Sequence, residues 1–194
     1  MDRRRFSIGL AGICAATIVG RASDARAAGL SDAGAFAFRF DGIDGAPLAL
    51  SRFRGRVLVV VNTASHCGFI NQYRPLQALW DRYRDRGLTI IGVPSNDFGG
   101  QEPGDNSEIK GFCSSTYGIT FPLAGKAGVR GTGAHPFYRW AAEALGQGNA
   151  PRWNFHKYLV GRDGRLVAAF ASSTEPNDPR VVAAIEAALA KPAP

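Results

Sequence analysis

The spacing of apolar positions divides the chain into segments of two different periods. Phe36, Phe38 and Phe40 alternate with small or polar residues, the period of a half-buried strand. The turn dipeptides Asp41-Gly42 and Asp44-Gly45 follow, so an N-terminal β-hairpin is predicted. Val57 to Val61 is an unbroken apolar run, as in a strand buried on both faces of a mainly parallel sheet. From Tyr73 the period changes. Tyr73, Leu76, Leu79, Trp80 and Tyr83 fall at helical spacing, with Pro75 in the first turn and Gly87 as a stop. Leu88 to Val93 reads as a second buried strand. Pro94 to Gly104 is a Gly/Pro-rich loop, longer than a plain connection requires. Asp105 and Glu108 make a capping-box pattern that opens a short helix through Tyr117, and another helix is predicted over 135–145. Phe155 to Val160 and Leu166 to Phe170 flank the turn Arg162-Asp163-Gly164, a hairpin signal. An Ala-rich helix over 178–190 closes the chain. This order predicts one α/β domain over residues 28–194, a mixed central sheet flanked by helices, with 28–35 as a flexible lead-in.

Composition changes this picture little. The 194 residues are 45% hydrophobic and 20% charged, which excludes disordered and fibrous classes. The formal charge is +7, but five of the 23 basic and two of the 16 acidic residues lie in residues 1–27, leaving +4. With no Lys/Arg run in the body, nucleic-acid binding has little support. Residues 1–27 read instead as an export signal peptide. Arg3-Arg4-Arg5-Phe6 resembles the twin-arginine signal, a mildly apolar stretch runs from Phe6 to Gly20, and Ala25-Arg26-Ala27 offers a cleavage pattern. The stretch falls short of the roughly 20 residues that span a bilayer. Cys14 is preceded by Ile13, where a lipoprotein signal wants a small residue. A periplasmic location is therefore expected.

The chemistry starts at Asn62 to Phe69, where the first buried strand ends and a helix approaches. Open α/β sheets place active sites at such carboxyl ends, and Cys67 there senses a helix N-terminus that favours the thiolate. Ile70 stands where a Cys-x-x-Cys motif would have its second cysteine, which favours a single attacking thiol. A buried structural cysteine accounts for Cys67 equally well on this basis alone. Two further segments bear on the choice: the polar loop Asn96 to Gly104, which follows the second strand, and Trp153-Asn154-Phe155, which precedes a later one.

Together these segments resemble the glutathione peroxidase family, in its cysteine-containing, non-selenium form. Asn62 to Phe69, Phe98 to Gly104 and Trp153 to Lys157 match its motifs, and Phe112-Cys113 with Phe121-Pro122 matches a fourth. The resemblance covers 36–190. It implies a thioredoxin-like fold, and a peroxidase acting on hydrogen peroxide and organic or lipid hydroperoxides. It implies Cys67 as peroxidatic nucleophile, with Gln101, Trp153 and Asn154 completing a tetrad, and Cys113 as resolving thiol in a Cys67–Cys113 disulfide. No cofactor and no selenium are implied; the co-substrate is a thiol reductant, a thioredoxin-like protein or glutathione. The residue chemistry agrees. Amides and an indole N–H donate hydrogen bonds without titrating protons. Complete ionisation of an ordinary cysteine gains only ~30-fold in thiolate, about 2 kcal/mol, whereas enzymes commonly supply ~10⁶-fold. The donors must then act mainly on the transition state. Gly111, Ser114, Ser115 and Thr116 are poor helix formers around Cys113, consistent with a helix that unwinds to let the sulfurs meet.

Two positions depart from the family pattern. Ser95 stands where many relatives carry a further cysteine, which leaves Cys113 as the one resolving candidate. His66 stands where relatives often have Lys or Arg. His66, His135 and His156 are read as structural or surface residues, and their scatter suggests no metal site. The short segment between Tyr138 and Trp153 lacks the assembly loop of tetrameric relatives, so a monomer or weak dimer with an open site is expected. Two other functions fit parts of the pattern: an exported thiol–disulfide oxidoreductase, weakened by the missing Cys-x-x-Cys, and a non-enzymatic periplasmic binding protein.

Overall fold

The computed structural model describes residues 34–194, so the export segment, Cys14 and most of the lead-in lie outside the described residues. Strands β1 (Arg39–Asp41) and β2 (Pro47–Ala49) form the expected antiparallel hairpin. The central sheet has the order β4-β3-β5-β6, with β3 Val57–Thr63, β4 Leu88–Pro94, β5 Lys157–Val160 and β6 Leu166–Phe170. β3 pairs parallel with β4 and antiparallel with β5, and β5 pairs antiparallel with β6, so the sheet is mixed. Helix α1 spans Tyr73–Tyr83, α2 Asn106–Tyr117, α3 Pro136–Leu145 and α4 Pro179–Ala190.

The unbroken apolar run of β3 is buried along its whole length. Successive side chains point to opposite faces. Val57, Val59 and Val61 join Leu76 and Leu79 of α1 and Ile185 and Leu189 of α4 in one core layer. Leu58 and Val60 join Phe40, Phe137 and Tyr138 of the hairpin and α3 in the other. The sheet is thus covered on both sides, as its continuous hydrophobic pattern requires. The helices start where the caps predict. Asp105 and Glu108 form a reciprocal capping box on α2, and His135 and Asp178 accept from backbone N–H groups at the starts of α3 and α4.

Three expectations are corrected. Gly34–Ala37 is a 3-10 turn rather than strand, so Phe36 lies outside the β1 ladder. Gly34 and Ala35 are buried, not part of a flexible lead-in. The Ala35 N–H is taken by the Gly164 carbonyl at 2.8 Å, and a Cβ on Gly34 would collide with that same carbonyl oxygen. Phe155 is not in a strand either: its φ is +63°, a left-handed conformation uncommon for an aromatic residue.

The topology decides what the site contains. Because β3 and β4 are parallel, the segments after them emerge at one edge. Because β5 runs opposite to β3, the residues before β5 arrive at that edge too.

Candidate active site

Cys67 sits in the turn after β3 and is 2% exposed. Its Sγ accepts from the Phe69 N–H at 3.4 Å. A short 3-10 turn, Ile70–Gln72, then leads into α1. Gln101 lies in the loop after β4, reached through Gly99 and Gly100, both at positive φ (+67° and +65°). Two consecutive left-handed residues reverse the chain and bring Gln101 back against the cysteine turn. Two contacts close that approach. The His66 N–H donates to the Gln101 carbonyl at 3.0 Å, and the Ser65 N–H donates to Glu102 Oε2 at 3.1 Å. The Glu102 N–H donates to Asn96 Oδ1 at 2.8 Å, and Lys126 Nζ donates to the Gly104 carbonyl at 2.7 Å.

Trp153 and Asn154 come from the segment before β5. Asn62 Nδ2 donates to the Trp153 carbonyl at 3.1 Å, and the Phe155 N–H donates to the Asn62 carbonyl at 2.6 Å. The Phe155 ring meets Tyr73 of α1 edge-on at 5.3 Å. The left-handed residue is thereby held from two sides, as strained backbone near a functional site must be. Asn154 is completely buried, and its Nδ2 donates to Gln101 Oε1 at 3.0 Å. With that oxygen occupied, the Gln101 NH₂ group is left to donate elsewhere. The Trp153 ring is 38% exposed and packs on Phe98 at 5.8 Å, with Arg130 over the other ring at 5.2 Å.

The structure therefore brings Gln101 and Asn154 into direct contact. It ties Gln101 to the Cys67 turn through His66, and Trp153 to the end of β3 through Asn62. Cys113 is placed differently. It lies on α2, fully buried, and its Sγ donates to the Tyr73 hydroxyl at 3.4 Å. Burial pushes its thiol pKa up, the Tyr73 contact pulls it down, and the Glu102 charge pushes it up again. Both cysteines are free, and both border the same core layer. Ser95, at the departure noted above, is buried and accepts from the Asp97 N–H at 3.4 Å.

Of the histidines, His66 is exposed, His135 stacks on Phe40 at 4.0 Å, and His156 is buried against Tyr158 at 4.7 Å. Among the described residues no three His, Cys, Asp or Glu side chains converge as a metal site. Two buried ionisable residues had no role in the sequence reading. Glu102 is 1% exposed, and burial raises its pKa. Lys157 is equally buried and donates to Gln72 Oε1 at 2.8 Å and to the Thr174 carbonyl at 2.6 Å; burial lowers its pKa to about 8. It ties β5 to the end of the Cys67 turn. Their only sequence signal was a position inside the matched motifs.

A mixed sheet with a buried thiol in the turn after its central strand, and the Gln101 loop and the Trp153-Asn154 segment drawn to the same edge, is that of a thioredoxin-like thiol enzyme. The family model for glutathione peroxidase matches residues 35–142, and the chain belongs to that family. It is 46% identical over 151 residues to a hydroperoxy fatty acid reductase of Synechocystis, covering 74% of this chain and 89% of the relative. It is 40% identical over 171 residues to the thioredoxin/glutathione peroxidase BtuE of Escherichia coli, covering 77% and 93%. The crystal structure of Trgpx in its apo form superposes with a TM-score of 0.67 at 33% identity, covering 83% of this chain and 99% of that one. The protein is a peroxidase.

Proposed function

We propose that the chain is an exported two-cysteine thiol peroxidase, in which Cys67 reduces hydrogen peroxide and organic or lipid hydroperoxides and Cys113 resolves. The Cys67 thiolate attacks the terminal peroxide oxygen. An S–O bond forms, the O–O bond breaks, and the alcohol leaves with a proton, so sulfur is oxidised and peroxide reduced by two electrons. The Gln101 NH₂, the Trp153 indole and the Asn154 amide supply donors for the charge that develops on the departing oxygen. Cys113 then displaces the hydroxyl of the Cys67 sulfenic acid as water and leaves a disulfide. A thioredoxin-like protein or glutathione returns it to two thiols.

The observation that carries this reading is the Gln101–Asn154 hydrogen bond, continued through the Gln101 carbonyl to the backbone beside Cys67. It links the segment before β5, the loop after β4 and the turn that carries Cys67. Lipid hydroperoxides are proposed because the Synechocystis relative is a hydroperoxy fatty acid reductase, and a thioredoxin-like or glutathione reductant because BtuE carries both names. The reaction draws its electrons from thiols and needs no resident cofactor. The periplasmic location and the monomeric or weakly dimeric state rest on the N-terminal signal pattern and the short 138–153 segment. Peroxide consumption by the processed chain, offered thioredoxin and glutathione separately, is the test. Turnover with at least one of them, abolished in Cys67→Ser, is the expected result. Consumption that survives Cys67→Ser overturns the assignment of the nucleophile.

A further inference from the structure

Buried polar atoms are nearly always hydrogen-bonded, so an orphan beside a cavity needs an explanation. Tyr138 of α3 is 1% exposed, and its hydroxyl has no partner among the described residues. It lines a cavity of about 420 Å³ whose walls include none of Cys67, Gln101, Trp153 or Asn154. Arg130, Arg139, Glu143 and Pro151 line the same cavity, and its volume is in the range of small-molecule sites. None of the three charged side chains forms an ion pair among the described residues. From this set we propose that the cavity binds the α-amino-acid group of a small molecule. Its carboxylate is taken by Arg130, Arg139 and the Tyr138 hydroxyl, and its ammonium by Glu143.

The fold sets these charges in order along the cavity. The segment carrying Arg130 is pinned by Asp97, whose Oδ2 accepts from the Val129 N–H at 2.6 Å and from the Arg130 N–H at 3.1 Å. The Arg130 guanidinium is left exposed, over the Phe98 ring at 5.2 Å. Arg139 lies near the start of α3, and its Nη1 donates back to the Ala134 carbonyl, so its guanidinium sits against the segment that carries Arg130. Glu143 comes four residues later, about 6 Å farther along the helix axis. The cavity is therefore cationic towards one end and acidic towards the other. A guanidinium takes a carboxylate through two parallel N–H donors, and a phenol O–H can add a third. A plain anion would be repelled by Glu143, and a plain cation by the two arginines. A group bearing both charges on one carbon meets its complement at each end. Two sources carry that group: a free amino acid, and the γ-glutamyl end of glutathione, which rests on the proposed thiol reductant. Either would lie close to the peroxidase site, because Phe98 packs on Trp153 at 5.8 Å and Pro151 lies two residues before it.

The test titrates the reduced full chain, without peroxide, and follows the side-chain N–H resonances of its arginines. The probes are glycine, acetate, methylammonium and S-methylglutathione, whose blocked thiol prevents turnover. Glycine is expected to shift the Arg130 and Arg139 resonances to saturation. Acetate and methylammonium should each bind about tenfold more weakly, the scale of one hydrogen bond to a charged group. Arg130→Gln and Arg139→Gln should each weaken glycine by about the same factor. Glu143→Gln should weaken glycine and strengthen acetate, a reversal that misfolding cannot produce. Competition between S-methylglutathione and glycine identifies the glutathione end as a source, whereas saturation by glycine alone identifies free amino acids. The proposal is overturned if neither zwitterion saturates, or if acetate binds as tightly as glycine. It is overturned as well if Glu143→Gln moves glycine and acetate in the same direction, or if both arginine variants keep full glycine binding. No readout depends on turnover, so failure here leaves the peroxidase reading intact, and peroxide consumption surviving Cys67→Ser leaves these titrations standing.

Discussion

The Asn154 amide has little freedom in its buried position. Its nitrogen gives a hydrogen to Gln101 Oε1, and its oxygen has no partner among the described residues. Removing the donor frees the Gln101 amide to turn and offer its oxygen, an acceptor, where a donor is needed. Asn154→Ala is therefore expected to slow oxidation of Cys67 by hydrogen peroxide about 10²-fold, the cost of a lost transition-state donor. Asn154→Asp should be slower still, because it also buries a negative charge against the Gln101 amide oxygen. Stopped-flow tryptophan fluorescence gives both rates, and Asp faster than Ala would refute the electrostatic argument. Gly100 offers a purely backbone test. Nothing lies within 4 Å of a Cβ built there, but its φ is +65°. Gly100→Ala should lose about 1–2 kcal/mol from left-handed strain alone, measured by urea unfolding, and Gln101 placement should suffer with it.

At the scale of the element, α2 is the part that must move if Cys113 is to reach Cys67. It is well started and poorly held. The capping box secures its first turn, yet only Ile109 and Cys113 of its twelve residues are buried. Gly111 lies in its middle, with open space where a Cβ would go. Gly111→Ala should stabilise the helix by about 1 kcal/mol, and so slow disulfide formation about fivefold if unwinding precedes it. Asp105→Ala should act in the opposite sense by a similar amount. Mass-spectrometric quench of the Cys67–Cys113 disulfide after a peroxide pulse distinguishes them; equal rates in both variants would mean that the helix does not gate the step.

Much of this element structure was legible in the sequence. β3 and β4 announced themselves because strands covered on both faces need unbroken apolar runs, and α2 did so through Asp105 and Glu108. The misread segments have physical causes as well. Phe36, Phe38 and Phe40 alternate as a strand would, but the Ala35 N–H is claimed by Gly164, far along the chain. Phe155 looks apolar enough for β5, but it is the residue that turns the chain so that Asn154 can meet Gln101. Period and propensity say nothing about β5 running opposite to β3. Without that, only the family pattern grouped Trp153 and Asn154 with Cys67. Glu102 and Lys157 escaped notice because a polar residue in a loop or at a strand start carries no mark of its burial.

For the whole molecule, two buried bases make stability depend on pH in a definite direction. Burial, then the neighbouring Lys157 charge, lowers the His156 pKa from an ordinary 6.5 to about 4, against a weaker opposing contact from the Asn149 backbone. Between these values the unfolded chain binds a proton that the folded chain refuses, so stability falls as pH drops from 6.5 towards 4. The loss approaches about 3 kcal/mol at the bottom of the window if the whole shift is realised. Lys157 acts in the same sense at higher pH. Its folded value of about 8 lies below that of an exposed lysine, so stability rises as pH climbs from 8 towards the ordinary lysine value near 10.5. His156→Phe keeps a ring against Tyr158 and removes the acid term. Urea unfolding at pH 7 and at pH 4.5 should show the wild-type chain losing more stability between them than the variant does, by about 2–3 kcal/mol. Equal losses would place the acid sensitivity elsewhere, with the carboxylates that anchor the helix caps as the next groups to examine.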